Sequence, residues 1–139
     1  MYRTTDVERG YESITAYIRE VIEQYGIDPG QIYLMGFSQG AIMSYYTLYR
    51  SPELIGGIIA LSGRLLSEID VAGIEKGRYS TKRVFIGHGT EDRVISVSSS
   101  ELTSEFVRDI GLSPTLRYYP IGHTISSDEI ADIVGWLQK

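Results

Sequence analysis

Three side chains of types that carry out acyl transfer stand far apart in this chain. Ser38 sits in GFSQG (residues 36–40), Asp92 in HGTEDRV (88–94) and His123 in GHTI (122–125). A serine hydroxyl is a weak nucleophile at neutral pH, so an imidazole must take its proton. A carboxylate must then fix the imidazole tautomer and stabilise the ring once it is charged. The pattern G-x-S-x-G is that of a nucleophile elbow, a tight strand-to-helix turn that forces the central serine to protrude. Glycines two before and two after, Gly36 and Gly40, are expected to relieve the crowding there. Each residue also has an ordinary reading. Ser38 fits a helix N-cap, Asp92 a turn position with Glu91 as its direct competitor, and His123 a polar loop. The chain has only two histidines. The other, His88, precedes the acid and is expected to line the substrate site or to bond to backbone. A neutral His123 is required for the first proton transfer, so activity is expected to fall as the pH drops through the range in which histidine titrates.

Such a constellation needs a scaffold that brings the three segments together. Residues 31–35 form a short apolar, β-prone run before the elbow, and residues 41–50 have helical spacing that Ser51-Pro52 ends. Earlier, Val7, Tyr11, Ile14, Ile18, Val21, Ile22 and Tyr25 share one helical face, with Thr5 and Glu8 placed for a capping box and Gly26 as the stop. Strands are expected at 57–62, 83–87 and 115–119. Residues 63–82 read as a loop with one short helix. Helices are expected at 98–110, with Leu102, Phe106 and Ile110 inward, and at 127–138, with Ile130, Ile133, Val134 and Leu137 inward. Alternating strands and helices imply an α/β fold: about four parallel strands with helices on both faces, in a single domain over residues 1–139. Parallel strands put Ser38, Asp92 and His123 at one common sheet edge.

Composition narrows the function. Of 139 residues, 42% are hydrophobic and 22% charged, as in an ordinary globular domain. Thirteen basic and eighteen acidic side chains give a net charge of −5, which argues against nucleic-acid binding. The chain contains no cysteine, so disulfide and thiolate chemistry are excluded, and two histidines do not make a histidine-rich metal site. No cofactor is implied. The longest apolar run, residues 54–61, is too short to span a bilayer, and the first residues lack a secretory apolar region, so a cytoplasmic protein is expected.

In order along the chain, GFSQG, Leu61-Ser62-Gly63, His88-Gly89-x-x-Asp92-x-Val94 and Gly122-His123-x-Ile125 resemble the phospholipase/carboxylesterase family of α/β-hydrolases, which includes the acyl-protein thioesterases. The order Ser, Asp, His is that of the fold. Ala41 and Ser96 depart from the family pattern, where Gly and Pro are common. The resemblance implies that the Gln39 N–H supplies one oxyanion donor. Family members begin with further strands and a loop that gives the second donor, so this chain is expected to be a truncated α/β-hydrolase. Loss of one donor costs about 2.7–4 kcal/mol of transition-state stabilisation. The absent strands would also leave an exposed edge near residues 31–35, and a homodimer through that edge is expected. A serine esterase acting on small-molecule esters or thioesters is the leading expectation. A degenerate hydrolase scaffold that binds without turnover is the second, and a peptidase or dienelactone-type hydrolase the third.

Overall fold

The four expected strands and the four longer expected helices all form. The computed structural model describes residues 4–67 and 69–139, with side chains from Asp6 onward. Its elements are α1 (Thr4–Tyr25), β1 (Tyr33–Phe37), α2 (Gln39–Arg50), β2 (Gly57–Leu61), β3 (Arg83–Gly89), α3 (Ser98–Asp109), β4 (Thr115–Tyr119) and α4 (Ser127–Leu137). The four strands are parallel in the order β1-β2-β3-β4, so β1 and β4 are the edges. The first strand starts two residues later than expected. Asp28 caps a 3-10 turn over Pro29–Gln31, and pairing with β2 begins at Tyr33 opposite Gly57. Residues 63–82 hold two 3-10 turns, Val71–Gly73 and Lys76–Tyr79, instead of one short helix.

Helices cover both faces. On one, α1, α2 and α3 pack over Ile58, Ala60, Val84 and Ile86, with Ile42, Tyr45, Leu48 and Val107 buried against them. On the other, α4 buries Ile133 and Trp136 against Ile59, Leu61 and Phe85. Three expected faces differ. Tyr25 is exposed at the end of α1. In α3 the inward positions are Ser100, Thr103, Ser104, Phe106 and Val107, while Leu102 is 65% exposed. In α4, Ile130, Val134 and Leu137 are 44–49% exposed. The helix is rotated so that Glu129, Ile133 and Trp136 face the sheet. Trp136 fixes that rotation: its ring meets Tyr33 and Phe85 edge-on, and its carbonyl accepts from Arg83 Nη2 at 2.7 Å. The Glu8 carboxylate accepts from Tyr46 Oη at 2.9 Å and Arg50 Nη1 at 2.6 Å, tying α1 to α2. Thr5 falls inside α1, and its side chain lies outside the described ones.

Candidate active site

The carboxyl ends of β1, β3 and β4 form one rim, and each carries a segment singled out by its chemistry. At the end of β1, Ser38 has φ 58° and ψ −111°, a backbone conformation that a residue with a Cβ adopts only at a cost of about 1–3 kcal/mol. Close packing of strand on helix holds it there. A Cβ on Gly36 would lie 2.1 Å from the Gly40 carbonyl carbon, whereas a Cβ on Gly40 would meet nothing within 4 Å. The crowding is therefore all at Gly36, and Gly40 does not need to be glycine for space. The Ser38 N–H continues the ladder to Leu61 O at 2.9 Å. Its hydroxyl makes no capping bond and is left to other partners.

Glycine also joins the acid and histidine segments. A Cβ on Gly89 would meet the Ile121 and Gly122 carbonyl oxygens at 2.2 and 2.4 Å. The Glu91 N–H donates to Ile121 O at 3.0 Å, so the turn bearing Asp92 lies against the loop bearing His123. Between Asp92 and Glu91 the geometry distinguishes clearly. Glu91 is exposed and Asp92 is buried. Asp92 Oδ1 accepts the Val94 and Ile95 N–H groups at 2.8 and 2.9 Å. Its Oδ2 lies 2.7 Å from His123 Nδ1, and His123 Nε2 lies 3.0 Å from Ser38 Oγ. The structure thus brings Ser38, His123 and Asp92 into one hydrogen-bonded run.

Electrostatics set the proton positions. Burial alone would raise the Asp92 carboxyl, but the bond from His123 and the N–H groups of Ile95 and Val94 outweigh it and hold the group below the ordinary aspartate range. An ionised carboxylate only accepts, so His123 Nδ1 carries the ring proton. The bare Nε2 can then accept from the Ser38 hydroxyl, as a general base must. The His123 side chain retains 19% exposure while that of Asp92 has none. The Phe37 ring lies 4.7 Å from the imidazole and limits its tilt, a contact that sequence reading missed. As the first residue of α2, Gln39 has no carbonyl a turn earlier to receive its N–H, which is free for an anion at the helix N-terminus.

Of the two roles expected of His88, the structure gives the bond to backbone and not a place in the substrate site. It is 0% exposed, so it lies beneath the site and offers no surface to a substrate. Its Nε2 meets Ile95 O at 2.7 Å and its Nδ1 meets Ser100 Oγ at 2.5 Å. Ser100 drew no attention in the sequence, because a serine near a helix start is ordinary. Among the described residues, no group of three or more His, Cys, Asp or Glu is disposed to hold a metal ion, and no helix is long and apolar enough to cross a membrane. A mostly apolar cleft of about 170 Å³ opens between Asp6, Val7 and Gly10 of α1 and Gln39, Ile42 and Met43 of α2. The larger cavity, about 600 Å³, lies at the opposite end of the strands around Arg83, Thr115 and Trp136.

Relatives share this arrangement of elements. The chain is 33% identical over 137 residues to acyl-protein thioesterase 1 of Aspergillus fumigatus, covering 96% of this chain and 56% of that protein. It is 34% identical over 138 residues to acyl-protein thioesterase 1 of Kluyveromyces lactis, covering 96% and 60%. The crystal structure of esterase PE8 superposes with a TM-score of 0.82 at 30% identity, over 95% of this chain and 60% of that one. The Bacillus cereus carboxylesterase, at 19% identity, shares the fold with a TM-score of 0.85 over 99% and 63%. The chain therefore spans about three fifths of the length of these relatives. The phospholipase/carboxylesterase family model matches residues 2–139, and the chain belongs to that family.

Proposed function

We propose that this chain carries the active site of a serine carboxylic-ester hydrolase acting on small, short-acyl esters or thioesters. The observation that carries the reading is the hydrogen-bonded run from Ser38 Oγ through His123 to Asp92. Ser38 Oγ attacks the acyl carbonyl while His123 Nε2 takes its proton. The carbonyl oxygen, now an oxyanion, accepts the Gln39 N–H. His123 then returns the proton to the leaving alkoxide or thiolate, giving an acyl-enzyme. Water repeats the sequence and frees the acid. Asp92 keeps the imidazole proton on Nδ1 throughout. No metal or organic cofactor enters these steps. Gln39, the residue after Ser38, borders the small cleft with Ile42 and Met43, and a volume of that size would take a short acyl group. A panel of p-nitrophenyl esters of graded chain length tests the reading. Turnover is expected to peak at short chains and to vanish in Ser38→Ala. Full turnover by that variant would overturn it.

We also propose that two copies pair through β1. That strand is a sheet edge with Met35 60% exposed on it, and its unpaired backbone groups can bond to a two-fold copy. The apolar stripe Ile130, Val134 and Leu137 adds to the same side. Ala131, Asp132 and Gly135 line the cavity along β4, which puts the stripe on the opposite flank of α4. Light scattering should give twice the chain mass; a stable monomer across micromolar concentrations would end the proposal.

A further inference from the structure

His88 is the chain's other histidine, and its contacts do not end at the backbone. Its Nε2 stands 3.3 Å from Asp92 Oδ2, with both side chains fully buried. That oxygen is the one facing His123. Nε2 therefore looks at two acceptors, Ile95 O and Asp92 Oδ2, and no donor. It must carry a proton, which bonds Ile95 O and presents its positive edge to Asp92 Oδ2. Nδ1 faces only the Ser100 hydroxyl, which can donate. A neutral ring protonated on Nε2 satisfies every one of these contacts and leaves no unpaired charge in the interior.

We infer that His88, set by Ser100, is a positioning residue that locks the Asp92 carboxylate toward His123. The inference rests on the proposed hydrolase reading for its kinetic consequence, though not for its geometry. Three contacts define the lock. Oδ1 is pinned by the Val94 and Ile95 N–H groups. The far side of the same loop is pinned by Ile95 O on His88. Oδ2 lies 3.3 Å from the same Nε2, so the positive N–H edge of His88 faces it. With Oδ1 held by the loop and the His88 N–H edge set against Oδ2, the carboxylate is kept turned toward His123 Nδ1. A neutral donor does this without cancelling the negative charge that an imidazolium on His123 requires; a lysine or arginine in the same place would cancel it. Ser100, His88 and the Ile95 carbonyl thus form a hydrogen-bonded brace behind the Asp92–His123–Ser38 run, and the two meet where Asp92 Oδ2 stands 3.3 Å from His88 Nε2. His88 touches neither substrate nor the reacting atoms.

Two variants and two readouts test this. His88→Leu keeps a buried apolar group of comparable reach but removes both ring nitrogens. His88→Gln restores an N–H at the end of the side chain. On p-nitrophenyl acetate, His88→Leu is expected to lose about 10- to 100-fold in kcat, the scale of leaving a buried acceptor unpaired beside the acid, with KM within about twofold. His88→Gln should recover most of that loss. A wild type that turns over while His88→Leu keeps kcat within twofold overturns the inference and leaves the hydrolase reading standing. Equal losses in both variants, or a loss carried by KM, also overturn it, since either marks a merely structural role. The second readout needs no turnover: 15N spectra of the imidazoles at pH 8. They should show His88 protonated on Nε2 and bare on Nδ1, with the His123 Nδ1–H signal kept in His88→Gln and broadened in His88→Leu. The opposite His88 tautomer, or a His123 signal indifferent to both changes, overturns it even if the protein hydrolyses nothing. Should His88→Leu fail to fold, Ser100→Ala takes its place, and an unchanged His88 tautomer and kcat there overturn the proposal.

Discussion

Replacing Asp92 by Asn changes one atom and forces a choice that the structure makes costly either way. If the amide oxygen takes the place of Oδ1, it keeps the Val94 and Ile95 N–H bonds, at 2.8 and 2.9 Å. The amide nitrogen then occupies the place of Oδ2, 2.7 Å from His123 Nδ1 and 3.3 Å from His88 Nε2. Donor would face donor unless the His123 proton moves to Nε2. In that tautomer His123 donates toward Ser38 Oγ and cannot take its proton. Flipping the amide restores an acceptor to His123 but sets N–H₂ against two backbone N–H groups. Each buried donor left unsatisfied costs about 1–3 kcal/mol, so the flip costs about 2–6 kcal/mol in total and the wrong tautomer is preferred. The variant also lacks the negative charge that stabilises an imidazolium. Together these are expected to lower kcat/KM about 10⁴-fold, the scale of this substitution in a serine triad, or about 5.4 kcal/mol at 1.36 kcal/mol per tenfold. The assay is hydrolysis of p-nitrophenyl acetate beside a thermal melt at the same pH. A folded variant that loses less than tenfold would refute the assigned proton positions.

The same carboxylate has a stability signature. Its lowered value means that its contribution is complete above the ordinary aspartate pKa and is lost as the pH falls through the lowered folded value, so Asp92→Asn should flatten the acid limb of a plot of Tm against pH. Glu129 has the opposite sign. Burial pushes its carboxyl up, its Oε2 has no partner, and the charged form costs stability once the pH rises through the raised value. Glu129→Gln should therefore raise Tm at pH 8 and change little in acid; a loss at pH 8 would contradict this. Gly36→Ala should destabilise by about 3 kcal/mol or abolish folding, because its Cβ would overlap the Gly40 backbone. Gly40→Ala, with open space around its Cβ, should gain about 0.5–1 kcal/mol by chemical denaturation; equal losses at both glycines would count against this account of the elbow.

Signals that are local in the chain were legible, and those set by a distant partner were not. The Ser38 turn could be read because strand, glycine, serine and helix follow one another within a few residues. The positions of Asp92 and His123 followed from chain order in a parallel sheet. Which side of a helix is buried depends on what it meets. Leu102 looked like an inward residue by spacing, yet α3 turns small polar groups, Ser100 and Thr103, toward β3 and the acid loop. In α4, Trp136 overrode the aliphatic stripe because it fills the space between Tyr33 and Phe85. For the same reason the sequence left open whether His88 meets substrate or backbone. Its neighbours Ser100 and Ile95 lie twelve and seven residues on, and only the packing of α3 on β3 brings the serine to its ring.

Covalent labelling tests the central claim most directly. Treated with a fluorophosphonate, the intact protein should gain one adduct, mapped by peptide mass spectrometry to Ser38. The adduct should be lost in Ser38→Ala and slowed by orders of magnitude in His123→Asn at unchanged Tm. A folded wild type that takes no label, or takes it on another residue, would contradict the account.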